Sequence, residues 1–160
     1  MTGVQTCALP IFDPRVIVDE RMLPFTKLLS LIKRADCIVS PHRAEGFGYI
    51  PAYALWYGRL VISTNYSGTR DICDGNTAYP IPYKLIDIGA GESITLMKNA
   101  EWADIDVQAL SLTLRAINDD PMSAKIKALC GQKLLGSEYT IEMQAKRCLN
   151  RFRELGPIAE

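Results

Sequence analysis

A single histidine, His42, stands among the 160 residues, and that scarcity removes every metal site built on a histidine cluster. Net charge is lacking too. Eighteen basic side chains meet eighteen acidic ones, which argues against the clustered positive surface of a nucleic-acid binder. No apolar run approaches the roughly 20 residues that cross a bilayer as a helix. Neither a G-x-G-x-x-G nor a G-x-x-x-x-G-K-[ST] pattern occurs, which counts against the common dinucleotide and P-loop sites. Cys37, Cys73, Cys130 and Cys148 fall inside predicted elements at no metal-ligand spacing. They are expected to be buried, reduced thiols, which places the chain in a reducing compartment, the cytoplasm. With 48% hydrophobic and 22% charged residues, what is present suits one soluble globular domain.

The apolar pattern alternates between strand and helix. Val16 to Asp19 is a short β-branched run of the kind found in buried parallel strands. Phe25, Leu28, Leu29, Ile32 and Ala35 recur at helical spacing, predicting an amphipathic helix from Pro24 to about Ala35. Strands follow at 37–40 and 60–64, with a helix from about Tyr49 to Tyr57 between them. Pro51 fits only the first turn of that helix, and Gly58 suits the position just past its end. A short helix at 69–73 and a strand at 78–81 come next, then a polar loop from Pro82 to Ala103 containing Gly89, Gly91 and Asn99, long enough to be functional or mobile. Three helices close the chain. Val107, Leu110, Leu114 and Ile117 mark the first, Met122, Ile126, Leu129 and Leu134 the apolar side of the second, and Ile141, Ala145, Leu149 and Phe152 that of the third. Asp120 and Thr140 are the predicted N-caps of the last two. Repeated units of this length predict an α/β fold: a partial Rossmann-like parallel sheet with right-handed crossovers, covered by the C-terminal helices.

One stretch has the form of a binding site. His42-Arg43-Ala44-Glu45-Gly46-Phe47-Gly48 lies between a predicted strand and a predicted helix. Gly46 and Gly48 allow the backbone close to a ligand, and the helix start presents free N–H groups and a positive dipole end, suited to a phosphate or a sugar. Glu45, at the carboxyl end of a strand, supplies a carboxylate to the crevice where open α/β sheets bind ligands.

The run from Ser40 through Ile72 resembles the donor-binding segment of retaining glycosyltransferases of the GT-B fold, the family-4-like group. Its marks are Glu45 before the Gly46-Phe47-Gly48 turn, then Gly58, the strand Leu60 to Thr64, and Ser67-Gly68, with later marks at Pro82 to Leu85 and Trp102 to Asp104. The resemblance covers Val16 to the C-terminus. It departs at Tyr53, where the family carries a second glutamate that holds the ribose of the nucleotide. The resemblance implies that the chain is a truncated C-terminal half of such an enzyme. A hexose would pass from a nucleotide-sugar donor to a hydroxyl acceptor, of sugar or lipid-linked type, without a metal or other cofactor. Polysaccharide biosynthesis is the commonest setting. The donor contacts it implies are Glu45, Gly46, Phe47, Gly48, His42, Arg43, Tyr53, Ser67 and Gly68, with no catalytic residue assigned. Each has a plainer alternative. His42 either touches the donor or bonds the turn; Arg43 reaches a phosphate or pairs with an acidic neighbour such as Glu45; Tyr53 stacks on a base or ribose or simply packs; Ser67 and Gly68 shape the turn beneath the nucleotide or serve the fold alone. Trp102 is expected to be a packing anchor.

Residues 1–11 show no strand or helix period and no basic leader. Thr2 to Ile11 back-translates to what looks like a sequencing-library adapter, so residues 1–11 are expected to be a sequencing-adapter scar, not native, the alternative being a genuine flexible N-terminus, and residues 12–160 a partial nucleotide-sugar-binding domain. On that expectation the isolated chain is inactive. The arginine and lysine that neutralise the donor diphosphate in the family, and any peripheral membrane contact, would belong to a preceding segment. The competing account is a non-catalytic nucleotide-sugar-binding domain or pseudoenzyme that lost turnover with the glutamate replaced by Tyr53.

Overall fold

The computed structural model describes residues 13–88 and 100–156. Three parallel strands, β1 (Cys37–Ser40), β2 (Leu60–Thr64) and β3 (Tyr79–Ile81), lie in that order. Cys37 is opposite Leu60 and Ser40 opposite Ser63, and Thr64 is opposite Ile81. Every residue of the central strand β2 is buried, as a parallel strand covered on both faces requires. The chain is α/β, a partial Rossmann-like sheet followed by helices.

Helix α1 (Phe25–Arg34) buries Ile32 and sets Leu28 and Leu29 against the core. Helix α2 (Tyr49–Trp56) joins β1 to β2 and buries Pro51, Ala52, Ala54 and Leu55. Leu55, Val61 and Ile62 are fully enclosed. Pro51 lies in the first turn of α2, where its missing N–H costs no helical bond, and Gly58 follows the helix end with φ +64°.

The second layer departs from the expectation in an instructive way. Helix α4 (Pro121–Glu138) packs on α2 and β2, yet the buried residues are Ala124, Ala128, Gly131 and Leu135, while Met122, Ile126 and Leu129 are more than half exposed. Small side chains at spacings of four and three, Ala124, Ala128 and Gly131, let the helix approach closely; a Cβ on Gly131 would lie 2.5 Å from Leu55 Cδ2. Large apolar residues are the stronger sequence signal, but close packing selects the small ones. Helices α3 (Val107–Asp119) and α5 (Ile141–Leu155) bury no residue completely. Ile141, Leu149 and Phe152 are 85%, 56% and 69% exposed; of the three C-terminal helices α4 packs on β2 and α3 on β3, whereas α5 packs on α4. The caps are as expected: Asp120 accepts from the Ser123 N–H at 3.0 Å and Thr140 from Met143 at 3.2 Å, and Asp106 does the same for α3 through Ala109.

Two further expectations are corrected. Val16 to Asp19 is not a strand: no described strand pairs with it, and Ile17 and Val18 are 87% and 71% exposed. A β-branched run becomes a strand only when a neighbour takes its backbone hydrogen bonds. The presumed loop after Pro82 instead contains an antiparallel pair, β4 (Tyr83–Asp87) and β5 (Glu101–Ile105), with Leu85 opposite Ala103 and Ile86 opposite Trp102. Gly89, Gly91 and Asn99 lie outside the described residues, as do residues 1–12. The short helix expected at 69–73 is a 3-10 turn at Ser67–Asp71.

The cysteines divide. Cys73 is buried and Cys37 half-buried, whereas Cys130 and Cys148 are exposed, contrary to the expectation for those two, and all four are free. Burial pushes both Cys37 and Cys73 up to about 11, which leaves them almost wholly as unreactive thiols near neutrality. Peptide mapping after a brief pulse of a thiol reagent at pH 7.4 should find Cys130 and Cys148 modified. Cys73 should react only when denaturant is added, and its labelling in the native chain would contradict this packing.

Candidate functional site

The carboxyl ends of β1, β2 and β3 lie on one edge of the sheet, and the segments leaving them meet there. His42 ties the first two together. Its Nδ1 faces the Ser40 carbonyl oxygen at 3.1 Å, and its Nε2 faces the Tyr66 carbonyl oxygen at 3.1 Å and Thr69 Oγ1 at 3.2 Å. Thr64 Oγ1 donates to the His42 carbonyl at 2.6 Å, and Thr69 Oγ1 donates to the Tyr66 carbonyl at 3.0 Å. The ring is therefore engaged by the turn itself, which is the plainer of its two expected roles. Thr64, Tyr66 and Thr69, which complete the lock, are partners that periodicity did not single out. The position of Thr64 at the carboxyl end of a strand was the available signal.

Glu45 and Gly46 meet the Ser67-Gly68 turn backbone to backbone. The Glu45 carbonyl accepts from the Gly68 N–H at 3.2 Å and also from Ser67 Oγ. Ser67 adopts φ +63°, a left-handed conformation that costs a non-glycine residue of order 1 kcal/mol and persists only where its surroundings enforce it. A Cβ on Gly68 would fall 1.8 Å from the Gly46 carbonyl oxygen, while one on Gly46 would meet nothing within 4 Å. Gly68 is thus required by packing, and Gly46 keeps one side of the turn open. The Glu45 side chain is half-buried, and its carboxylate makes no hydrogen bond or ion pair with a described residue.

Gly48 is the residue before α2, at φ +83°, with no side chain capping the helix and no acidic residue in its first turn. The positive φ excludes most side chains there. The N–H groups of Tyr49 and Ile50 have no acceptor within the helix. They sit beside the open Gly46, where the positive end of the helix dipole favours an anion or a hydroxyl-rich ligand.

Arg43 does not take the pairing expected with Glu45. Its guanidinium lies over the Trp102 ring, 4.4 Å from the centroid, and its carbonyl accepts from the Ala103 N–H at 2.9 Å. The β4–β5 pair is thereby fastened to the site loop, and Trp102 is half-buried as an anchor. Tyr53 lies away from the glycine turn's hydrogen bonds, in an aromatic group: its ring meets Phe25 edge-on at 5.4 Å and stacks with Tyr49 at 6.3 Å. Phe47 contacts Tyr49 and Tyr139 at 5.6 and 5.9 Å. Among the described residues no group of three His, Cys, Asp or Glu side chains is placed to hold a metal ion, and no helix is long and apolar enough to cross a membrane.

No protein-family model matches the chain. Two curated proteins are similar to it, both called glycogen synthase and both from Mycobacterium tuberculosis, one from each of two strains; each is 26% identical over 118 residues. The matched stretch is 73% of this chain and 23% of the relative, so the chain spans less than a quarter of the length of the relatives it matches. A contiguous stretch of that length in a 160-residue chain must include Glu45 through Gly68, and the likeness to glycogen synthase therefore takes in the glycine turn, helix α2 and the Ser67-Gly68 turn.

Proposed function

We propose that the chain is the donor-binding part of a GT-B glycosyltransferase that moves a hexose from a nucleotide sugar to a hydroxyl with retention at the anomeric carbon. The observation that carries the proposal is the convergence of a Glu45 carboxylate without a partner among the described residues, the open Gly46 and the uncapped start of α2 at the carboxyl edge of a parallel sheet. Similarity to glycogen synthase across those residues supports it. In this reading Glu45 accepts hydrogen bonds from sugar hydroxyls. The N–H groups at the start of α2 lie towards the diphosphate, where negative charge grows as the glycosidic bond breaks. His42, Ser67 and Gly68 hold the two turns in register, and Gly46, Phe47 and Gly48 shape the backbone against the donor.

Arg43 lies over the Trp102 ring, and among the described residues no pair of basic side chains is assigned to the diphosphate. Transfer is therefore expected to require a further segment, and the acceptor is assigned to that segment too. The reading treats residues 12–160 as part of a larger nucleotide-sugar-binding domain, working in the cytoplasm, where the free thiols stay reduced, and feeding polysaccharide synthesis without a metal.

Titration of the chain with UDP-glucose, ADP-glucose and GDP-mannose tests the reading. At least one should bind saturably, and Glu45→Gln should weaken it about tenfold or more, a loss near 1.4 kcal/mol. The unfolding midpoint should stay unchanged, because the carboxylate has no partner among the described residues. Absence of binding to all three, or equal binding by Glu45→Gln, would overturn it.

A second reading, a non-catalytic nucleotide-sugar-binding domain or pseudoenzyme, is favoured by one observation. Tyr53 stands where the resembled family carries its ribose-holding glutamate, and its ring is engaged with Phe25 and Tyr49. Tyr53→Glu should raise affinity for the bound nucleotide sugar if the site was built for catalysis and lower it if the aromatic surface has become the binding element.

A further inference from the structure

His42 is half-buried between the glycine turn and the Ser67-Gly68 turn, and both its ring nitrogens face oxygens that can only accept. Nδ1 lies 3.1 Å from the Ser40 carbonyl oxygen and Nε2 3.1 Å from that of Tyr66. A neutral imidazole donates from one nitrogen and presents a lone pair at the other, so it sets that lone pair against a carbonyl oxygen. A hydroxyl can fill the gap from either side, Ser40 Oγ at 3.4 Å from Nδ1 or Thr69 Oγ1 at 3.2 Å from Nε2. The first is too long for a good hydrogen bond. The second draws the Thr69 hydroxyl away from the Tyr66 carbonyl, 3.0 Å from it, and no backbone N–H of a described residue donates to that carbonyl instead. An imidazolium meets both carbonyls with an N–H and leaves Thr69 free to bond Tyr66 as well.

We infer that His42 clamps the two turns together as an imidazolium, and that loss of its second proton loosens the Ser67-Gly68 turn from Glu45, making donor binding depend on pH. Tyr66 directly precedes Ser67, and Ser67 Oγ and the Gly68 N–H both donate to the Glu45 carbonyl. A Tyr66 carbonyl without the ring N–H is free to rotate, and the left-handed Ser67, at φ +63°, relaxes with it. Protonation and closure therefore favour one another: the clamp is complete at low pH and loosens as pH rises. The charged and titratable side chains on the surrounding segments are Arg43 and Glu45 of the same turn, Tyr49 at the start of α2, Tyr66, Arg70 and Asp71 of the next turn, and Tyr83 of β4, whose ring meets that of Tyr66 at 4.9 Å. Arg43 lies over Trp102, and among the described residues the ring bonds only the oxygens of Ser40, Tyr66 and Thr69, so no carboxylate shares its proton. The effect on binding rests on the donor reading; the charge of the ring does not.

Because the chain holds a single histidine, nitrogen-15 NMR of the purified, untagged protein reads this ring alone. At about pH 5.5 both nitrogens should carry a proton, and at about pH 8 only one. Between those values the urea unfolding midpoint should fall, and affinity for whichever of UDP-glucose, ADP-glucose and GDP-mannose binds should drop about tenfold, the scale of a charge-assisted hydrogen bond. These diphosphate diesters keep one charge over that range, so the change belongs to the protein. His42→Asn should bring the two affinities within about twofold of each other. Thr69→Val keeps the shape and removes the hydroxyl that rescues the neutral ring, so its loss of unfolding midpoint should be larger at about pH 8 than at about pH 5.5. A single ring proton at the lower pH would overturn the inference, as would a pH dependence that survives His42→Asn or a Thr69→Val loss equal at both values. If no nucleotide sugar binds at either pH, the donor reading fails alone, and the ring signals and unfolding midpoints still decide the clamp.

Discussion

Gly68→Ala is expected to lower unfolding free energy by about 2–4 kcal/mol and to abolish nucleotide-sugar binding, although it adds one methyl group in a surface turn. The new Cβ would lie 1.8 Å from the Gly46 carbonyl oxygen and 2.6 Å from its carbonyl carbon. Both are backbone atoms, so no rotamer change relieves the clash and the two turns must separate. Separation breaks the bonds that Gly68 and Ser67 donate to Glu45, and with them the enforcement of Ser67 at φ +63°. The general gain from replacing glycine, about 0.4–1 kcal/mol through the unfolded chain, is too small to compensate. Gly46→Ala is the control: its Cβ meets nothing within 4 Å, so stability should change by less than about 1 kcal/mol. Urea unfolding of both variants, read with nucleotide-sugar titration, checks the pair. Equal stabilities would show that the two turns are not in contact in solution.

Leu55→Ala should be the most damaging core substitution, at about 3–5 kcal/mol, because Leu55 is fully enclosed and its removal leaves a cavity between α2 and α4. The neighbouring glycine makes this more informative than a routine core deletion. Alanine at Gly131 would place Cβ 2.5 Å from Leu55 Cδ2 and 3.2 Å from the Thr77 carbonyl oxygen. On its own it should cost about 1–2 kcal/mol, overpacking outweighing the helix preference of about 0.8–1 kcal/mol for alanine over glycine. In the double variant the obstructing methyl groups are gone and the new Cβ fills part of the cavity. The combined loss should therefore fall short of the sum by about 1–2 kcal/mol, a coupling read from a double-mutant cycle. Strict additivity would mean that α4 does not rest on Leu55 through Gly131.

Much of the order of elements was legible in the chain because local chemistry determines it. The spacing of Phe25, Leu28, Leu29 and Ile32 suffices for α1, Pro51 and Gly58 bracket α2, and Asp120 and Thr140 announce two helix starts through caps that need no tertiary partner. The candidate site was legible as a list, His42 to Gly48 with Ser67 and Gly68, since a glycine turn between strand and helix is a local pattern. Its internal wiring was not. That Arg43 turns to Trp102 rather than to Glu45 depends on a strand pair about 60 residues further along, whose strands are too exposed to show an alternating pattern. That Val16 to Val18 stays outside the sheet depends on the absence of a described strand beside β1.

By itself, then, the sequence determined the starts of α2, α4 and α5, the strands β1 and β2, the parallel α/β class, and the residues of the glycine turn, because each rests on period, caps and turns confined to a few neighbours. Only the tertiary structure decided which face of α4 is buried, that Gly68 rather than Gly46 is sterically constrained, and that His42 is engaged by the turn. Those outcomes depend on distances between backbones far apart in the chain. Small residues such as Ala124, Ala128 and Gly131 carry almost no hydrophobic signal, yet close packing gives them the interface.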